Sequence, residues 1–144
     1  MKIKALPGLT WDIFWELPQN LVGFLLFIAV RKSVIRVALH QDHIFLATKD
    51  FGVSLGRFVF FLDEPNNAAV IGGRNSVHEY GHAIQSKILG PSYLLLVGIP
   101  SILRSFYAEF YYRVHRKGWI AYYRGYPEDW ADTLGAKHFI KPNK

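Results

Sequence analysis

A helix near the middle of the chain constrains the fold more than any other sequence feature. Helical periodicity runs over Ser76–Leu89, Gly72-Gly73-Arg74-Asn75 precede it as a breaker segment, and Gly90-Pro91 follow it as a strong stop signal. Ser76 and Glu79 have the spacing of a capping box. If Glu79 serves another purpose, an earlier residue must begin the helix. The sequence therefore predicts one well-bounded helix over residues 76–89.

Two histidines are four residues apart on this predicted helix. His78 and His82 thus share one face, one turn apart, and both imidazoles can be directed at a single point. Glu79 is offset by about 100° around the helix, so its carboxylate can reach a metal-bound water without binding the metal itself. In a chain of this composition a chance HExxH run arises in on the order of 1% of cases. We therefore expect a metal site, with Glu79 as its general base.

The third ligand must be a histidine or a carboxylate, because the chain contains no cysteine. A catalytic zinc normally has three protein ligands and keeps a fourth position for water. Glu128 and Asp132 stand out because they are four residues apart on the predicted final helix. One could bind the metal while the other accepts a hydrogen bond from a ligand histidine. An ordinary acidic first turn is the alternative interpretation. The other candidates for the third ligand are Glu109, His115, Asp129 and His138.

The two segments together resemble a known pattern. The run from His78 to His82, followed by Glu128-Asp129-Trp130-Ala131-Asp132, resembles that of the gluzincins, the thermolysin-like zinc metallopeptidases, in which HExxH is joined by ExxxD on a later helix. The resemblance implies one Zn2+ per chain, held by His78, His82 and Glu128, with Asp132 as the partner of a ligand histidine. It also implies a zinc-dependent peptidase in which Glu79 activates water for peptide hydrolysis.

A second resemblance is to small bacterial proteins with a zincin-like core. It rests on residues 78–86, on Leu89-Gly90-Pro91 and on Gly98-Ile99-Pro100-Ser101. Unlike the large gluzincins, this chain has no length for a separate carboxyl-terminal helical domain. It also lacks a motif for the residue that steadies the tetrahedral oxyanion, which leaves that residue unknown. The candidates are Tyr107, Tyr111, Tyr112, His115, Tyr122, Tyr123 and Tyr126.

The remaining sequence predicts an α+β fold in a single zincin-like domain over residues 1–144. A turn at Leu17–Asn20 should lead into a first helix over residues 19–32. Val34–Leu39, Ile44–Ala47 and Val53–Leu62 are short runs rich in strand formers, which predict two or three strands. The gaps between them are too short for crossover helices, so we expect a small antiparallel sheet packed on the active-site helix.

Two more helices should complete this minimal fold. One is predicted over Ser92–Tyr112, kinked at Gly98 or Pro100. The last should begin near Pro127 and stop at Gly135. In zincins the edge strand beside the active helix aligns an extended peptide by strand addition, and Val53–Phe61 is the candidate for that role.

Partners and location follow from charge and apolar patterning. Leu21–Val30 is too short to span a bilayer, which takes about 20 residues. It is also a poor signal peptide, because Asp12 and Glu16 precede it. We expect a cytoplasmic or membrane-associated protein, with peripheral membrane contact through Leu21–Val30 as an option. The net charge of +6 comes with no nucleic-acid-binding motif, so we expect no nucleic-acid partner. The gluzincin resemblance implies a peptide or protein substrate.

Two alternatives to a peptidase remain. The chain could be a zinc-binding domain that turns over weakly or not at all and serves in binding or regulation. It could also be a basic, aromatic-rich membrane-surface protein in which the HExxH run is incidental.

Overall fold

Helices and strands are mixed along the chain in a computed structural model that describes residues 7–63 and 71–141, with only the backbone for residues 7–10. The elements are α1 (Pro7–Trp15), α2 (Leu17–Val30), β1 (Val34–His40), β2 (His43–Thr48), β3 (Val53–Leu55), β4 (Phe58–Leu62), α3 (Arg74–Leu89), α4 (Ile99–His115) and α5 (Glu128–His138). The predicted α+β class is confirmed, with a small sheet packed against helices.

The sheet is mixed rather than wholly antiparallel. Its strand order is β1-β2-β4-β3. β1 pairs antiparallel with β2 and β3 antiparallel with β4, but β2 and β4 run parallel, with Ile44 opposite Phe58. Gap length correctly excluded a crossover helix. Instead, the chain reverses its direction after β2 through β3, a three-residue strand at the outer edge of the sheet. β4 then lies between β3 and β2, parallel to β2.

A tight turn at Gly56 divides the run that was predicted as one strand. Gly56 has φ +61°, a conformation that glycine adopts without the steric penalty of a side chain. The amide N–H of Arg57 donates to Asn20 Oδ1 at 2.8 Å, which fixes this turn to α2. The prediction of a single edge strand over Val53–Phe61 is therefore wrong, because only β3 lies at the edge and β4 is interior.

The core lies between α3 and the two central strands. Side chains alternate between the faces of a strand, so Val59 and Phe61 point to the same side. There they pack with Phe45 of β2 and with Tyr80 and Ala83 of α3, all buried. This packing leaves the His78 and His82 face of α3 free to meet other helices.

The amino-terminal helices differ from the prediction in one respect. Leu17 and Pro18 do not form a turn but belong to the first turn of α2, where proline is tolerated because its missing N–H needs no partner. The break falls at Glu16, which separates α2 from α1. On the inner side of α2, Gly23 packs so closely on β3 that a Cβ atom would lie 2.8 Å from the carbonyl oxygen of Leu55.

A long helical span follows α3 and the short turn Gly90–Ser92. A π-helical turn over Leu94–Gly98 continues directly into α4, so the predicted irregularity lies just before Pro100. Among the described residues, Leu94–His115 is the one helical span long and apolar enough to cross a membrane by length and composition. Only 6% of its apolar window is buried, and the Glu109–Arg113 ion pair lies on its surface.

Candidate metal centre

Two glycines bring α3 and α5 into close backbone contact. A Cβ atom on Gly81 would lie 1.8 Å from the carbonyl oxygen of Ala131, and one on Gly135 would lie 2.2 Å from that of Val77. Each helix thus contributes one glycine against a carbonyl of the other. Gly135 was predicted to end the last helix, but α5 continues to His138 and uses Gly135 for this contact.

The close approach brings three metal-ligating side chains to one point. His78 Nε2 lies 3.0 Å and His82 Nε2 lies 3.1 Å from Oε2 of Glu128. All three residues are buried, and Glu128 has no exposed surface. Ligand atoms about 2.0 Å from a tetrahedral zinc are roughly 3.3 Å apart, close to these distances. The group could therefore hold a metal ion.

Each histidine has a fixed partner on its second ring nitrogen. His78 Nδ1 lies 2.7 Å from Asp132 Oδ1, and His82 Nδ1 lies 2.7 Å from Gln85 Oε1. The Gln85 side chain is itself oriented, because its Nε2 donates to the carbonyl of Pro127 at 2.9 Å. Both partner oxygens can only accept, so both Nδ1 atoms carry the proton.

The fit to a cation follows from these proton positions. With Nδ1 protonated, each neutral ring presents the lone pair of Nε2 to the oxygen of Glu128. Three electron-pair donors then meet within hydrogen-bonding distance, and only a cation between them, a metal ion or a proton, makes that arrangement favourable. Burial alone would lower the pKa of His78, but Glu128, Glu79 and Asp132 raise it to about 9. The pocket thus strongly favours positive charge.

The orientation of Glu128 is fixed by a residue of α4. Ser101 Oγ donates to Oε1 of Glu128 at 2.7 Å, which leaves Oε2 for the histidines. Burial would raise the pKa of Glu128, but its contacts with His78 and His82 and the hydrogen bond from Ser101 hold it well below its usual range. Glu128 is therefore a carboxylate that presents one oxygen to the metal position.

Glu79 lies beside the ligand group without joining it. Its Oε2 is buried and has no hydrogen-bond partner within the protein. Its Oε1 lies against the backbone of Gly52, so closely that a Cβ atom added to Gly52 would be 2.5 Å from it. Burial raises the pKa of Glu79, while His82 and His78 lower it in part. A carboxyl group in this position is a stronger base than one in water.

Two clefts meet at the metal position. One, with a volume of about 470 Å³, lies between α2 and α4 and has apolar walls that include Val22, Leu26 and Ile102. The other, about 460 Å³, is lined by aromatic and polar groups that include Phe51 and Trp119. His78, Glu79 and Tyr122 line both.

A loop between α4 and α5 carries two tyrosines that border the site, Tyr122 and Tyr123. Arg104 of α4 holds it, donating to the carbonyls of Ala121 at 2.8 Å and Tyr122 at 2.6 Å. The Tyr122 hydroxyl lies 3.0 Å from Ser105 Oγ, and burial raises the pKa of Tyr122 to about 12, so it stays protonated. Tyr123 packs edge-on against the His78 ring, with 5.1 Å between centroids.

The structure separates the third-ligand candidates. Glu128 joins the histidines and Asp132 contacts His78, as expected from the sequence. The alternative that an earlier residue begins the active helix also holds, since α3 begins at Arg74. The candidates outside the ligand group are Glu109, His115, Asp129 and His138.

Three contributors to the site were not predicted. Gln85 follows His82 by three residues and so shares its helix face, a signal that was available. Ser101 and Arg104 act across elements that are distant in sequence, and nothing local marks them. Comparison of this chain with models of protein families, with curated proteins and with solved structures finds no match.

Proposed function

We propose that this chain is a zinc-dependent peptidase of gluzincin type, in which Glu79 activates water for hydrolysis of a peptide bond. One observation carries the proposal. Three donor atoms, His78 Nε2, His82 Nε2 and Glu128 Oε2, converge on one point, while the buried Oε2 of Glu79 lies beside them without a hydrogen-bond partner.

Zinc is the ion that suits this donor set best. Two imidazoles and one carboxylate are a ligand set of catalytic zinc sites, whereas magnesium and calcium prefer oxygen ligands alone. Two histidines and a carboxylate also bind iron(II) in some oxygenases, so metal analysis has to distinguish these two ions. Zinc, when bound, supplies Lewis-acid chemistry, because it makes water acidic enough to lose a proton near neutral pH and polarises a carbonyl.

The protein side chains supply the proton transfers. Glu79 accepts the proton of the attacking water at its buried, unpaired Oε2 and passes it to the leaving amine. Asp132 and Gln85 keep Nδ1 of the two histidines protonated and their rings in place. Tyr122 is the proposed donor to the developing oxyanion, because it lines both clefts and keeps its phenolic proton.

The substrate backbone has a nearby edge strand to pair with. β3 lies at the edge of the sheet, and Val53 and Ser54 line the cleft beside Glu79. An extended peptide can add to such an edge by backbone hydrogen bonds. The hydroxyl of Tyr93 already donates to the carbonyl of Ser54, which limits this pairing to the neighbouring positions.

The decisive experiment combines elemental analysis with hydrolysis of a broad peptide library. We expect one zinc per chain in the wild type and its loss in His78→Ala and His82→Ala, with His138→Ala as the exposed control. Glu79→Gln should retain zinc and lose hydrolysis. Glu109→Gln removes an exposed carboxylate at the rim of the second cleft and should retain both.

Three other outcomes would contradict the proposed function. Zinc bound by a wild type that is as inert as Glu79→Gln would favour a binding or regulatory domain over a peptidase. Iron in place of zinc would contradict the proposed chemistry. No stoichiometric metal at all would mean that the HExxH run is incidental.

A further inference from the structure

The helices beside the metal centre carry apolar side chains on the outside. Over Leu94–His115 these residues recur every three or four positions and form an outer stripe: Leu95, Ile99, Leu103, Phe106 and Phe110, each between 49% and 68% exposed. None of the 17 residues of α4 is buried. Since helices in water gain most of their stability by burying such a stripe, the exposed stripe favours an apolar environment beyond the described residues.

The polar side of the same helix faces inward. Ser101 bonds to Glu128, Arg104 to carbonyls of the loop that follows, and Ser105 to Tyr122. Polar groups thus face the protein and apolar groups face out, which is the reverse of a helix on a water-soluble protein.

The same inversion occurs on α2. Its buried residues are Gln19 and Gly23, and Gln19 donates to the carbonyl of Gly90 at 2.7 Å. Its exposed residues include Leu21, Leu25 and Ile28, and the helix carries no charged residue. Two helices with inverted polarity thus flank the same cleft, since residues of both α2 and α4 line its walls.

The ends of both helices match the polar boundary of a lipid bilayer. Arg31-Lys32 follow α2, and Arg113, Arg116 and Lys117 lie at the end of α4. Lysine and arginine beside an apolar helix favour anionic headgroups, and tryptophan and tyrosine, such as Trp119 and Tyr112, favour the interface. Because Glu109 and Arg113 lie on the helix surface, we place it in the plane of the interface rather than across the membrane.

We propose that the outer faces of α2 and α4 insert into the interface of an anionic bilayer, and that the cleft between them receives an apolar peptide segment from it. Val22, Ile99 and Ile102 line this cleft and are also exposed, so they form its apolar mouth. His78, Glu79 and Glu128 line the same cleft. The substrate part of this inference rests on the proposed peptidase function; the membrane part does not.

Flotation with lipid vesicles tests the membrane part. The full chain should float with vesicles of phosphatidylcholine containing about one third phosphatidylserine, and less well with phosphatidylcholine alone. A triple variant of the outer stripe, Leu103→Gln, Phe106→Gln and Phe110→Gln, should no longer float but should keep its helical content and its metal.

The matched control replaces three exposed apolar residues of β1, at the other sheet edge, by Ile35→Gln, Val37→Gln and Leu39→Gln. This variant should float like the wild type. A wild type that does not float, or that forms a stable dimer through the outer stripe instead, would overturn the proposal. Equal flotation of the outer-stripe variant would do the same.

Peptide binding tests the substrate part without turnover. Two labelled peptides that differ only in a central block, leucine in one and serine in the other, are titrated into zinc-loaded Glu79→Gln. The leucine peptide should bind at least about tenfold more tightly, since one buried leucine side chain alone accounts for that ratio. Ile99→Asn with Ile102→Asn should abolish the difference. Equal binding of both peptides would reject the apolar substrate class, whereas preferential binding with no cleavage by the wild type would reject only the peptidase.

Discussion

The backbone of Gly81 is in direct contact with the carbonyl oxygen of Ala131, with no room for even a methyl group between the two helices. Because of this contact, Glu128, one turn before Ala131 on α5, reaches both histidines of α3. The spacing of the three candidate ligands therefore depends on a residue that is not one of them.

Gly81→Ala should disrupt the site through packing alone. Its Cβ atom would force α3 and α5 apart, which we expect to lower the free energy of unfolding by about 1–3 kcal/mol or more and to weaken metal binding. Gly98→Ala is the control, because its Cβ atom would meet no atom closer than 3.8 Å. Calorimetry and metal titration measure both effects; unchanged affinity in Gly81→Ala would contradict this account of the helix contact.

Glu128→Gln should lower zinc affinity more than any other single carboxylate change. The amide oxygen that replaces Oε2 carries no charge, and the buried histidines lose their anionic partner. Asp129→Asn changes an exposed carboxylate in the same helical turn and should leave affinity unaltered. Competition with a chelator gives both constants, and similar losses in the two variants would argue against Glu128 as a ligand.

Asp132→Asn and Gln85→Leu should each weaken metal binding by about 10- to 100-fold, as expected when the partner of a ligand histidine is lost. Asp132→Asn replaces an acceptor by a group that can also donate, so His78 is no longer held in one tautomer. The same chelator competition applies. Affinity unaffected by either change would mean that the histidine orientations are fixed by packing.

Tyr122→Phe should lower kcat for peptide hydrolysis by about 10²- to 10³-fold, with little change in KM or zinc content, if its hydroxyl stabilises the oxyanion. Tyr123→Phe is the control, because it removes a neighbouring hydroxyl and keeps the ring that packs against His78. A rise in KM alone for Tyr122→Phe would assign the residue to substrate binding instead.

A pH effect is expected at His43, away from the metal centre. Burial lowers the pKa of His43 from 6.5 to about 4. The folded state therefore excludes a proton that the unfolded state binds, and stability present above pH 6.5 is lost as the pH falls towards 4. One pKa unit corresponds to about 1.4 kcal/mol, so the loss reaches about 3 kcal/mol.

His43→Asn removes this titration while keeping a donor for the carbonyl of Gln41, which His43 Nδ1 contacts at 2.8 Å. Chemical unfolding of the metal-free proteins at several pH values gives the free energy of unfolding as a function of pH. Between pH 6.5 and 4 this free energy should fall less steeply in His43→Asn than in the wild type. The exposed replacement His138→Asn should leave the slope unchanged. A wild-type slope in His43→Asn would show that other groups cause the acid sensitivity.

How much of this could be predicted from sequence depended on how local each signal is. His78, Glu79 and His82 are fixed relative to one another by the helix alone, and Glu128 and Asp132 likewise, so both sets could be identified. The meeting of the two sets depends on Gly81 and Gly135, and a glycine pattern does not reveal which backbone it will touch. The parallel pairing of β2 and β4 was missed for a similar reason, because the turn at Gly56 lies inside a run of strand-forming residues.

The partners of the two ligand histidines also differ in charge. Asp132 is an anion and Gln85 is a neutral amide, although both accept at 2.7 Å. A charged acceptor increases the electron density of an imidazole ring more than a neutral one does. His78 should therefore donate its Nε2 lone pair to a cation more strongly than His82. The two histidines would therefore contribute unequally to holding an ion, and two residues outside the group of donor atoms set that difference.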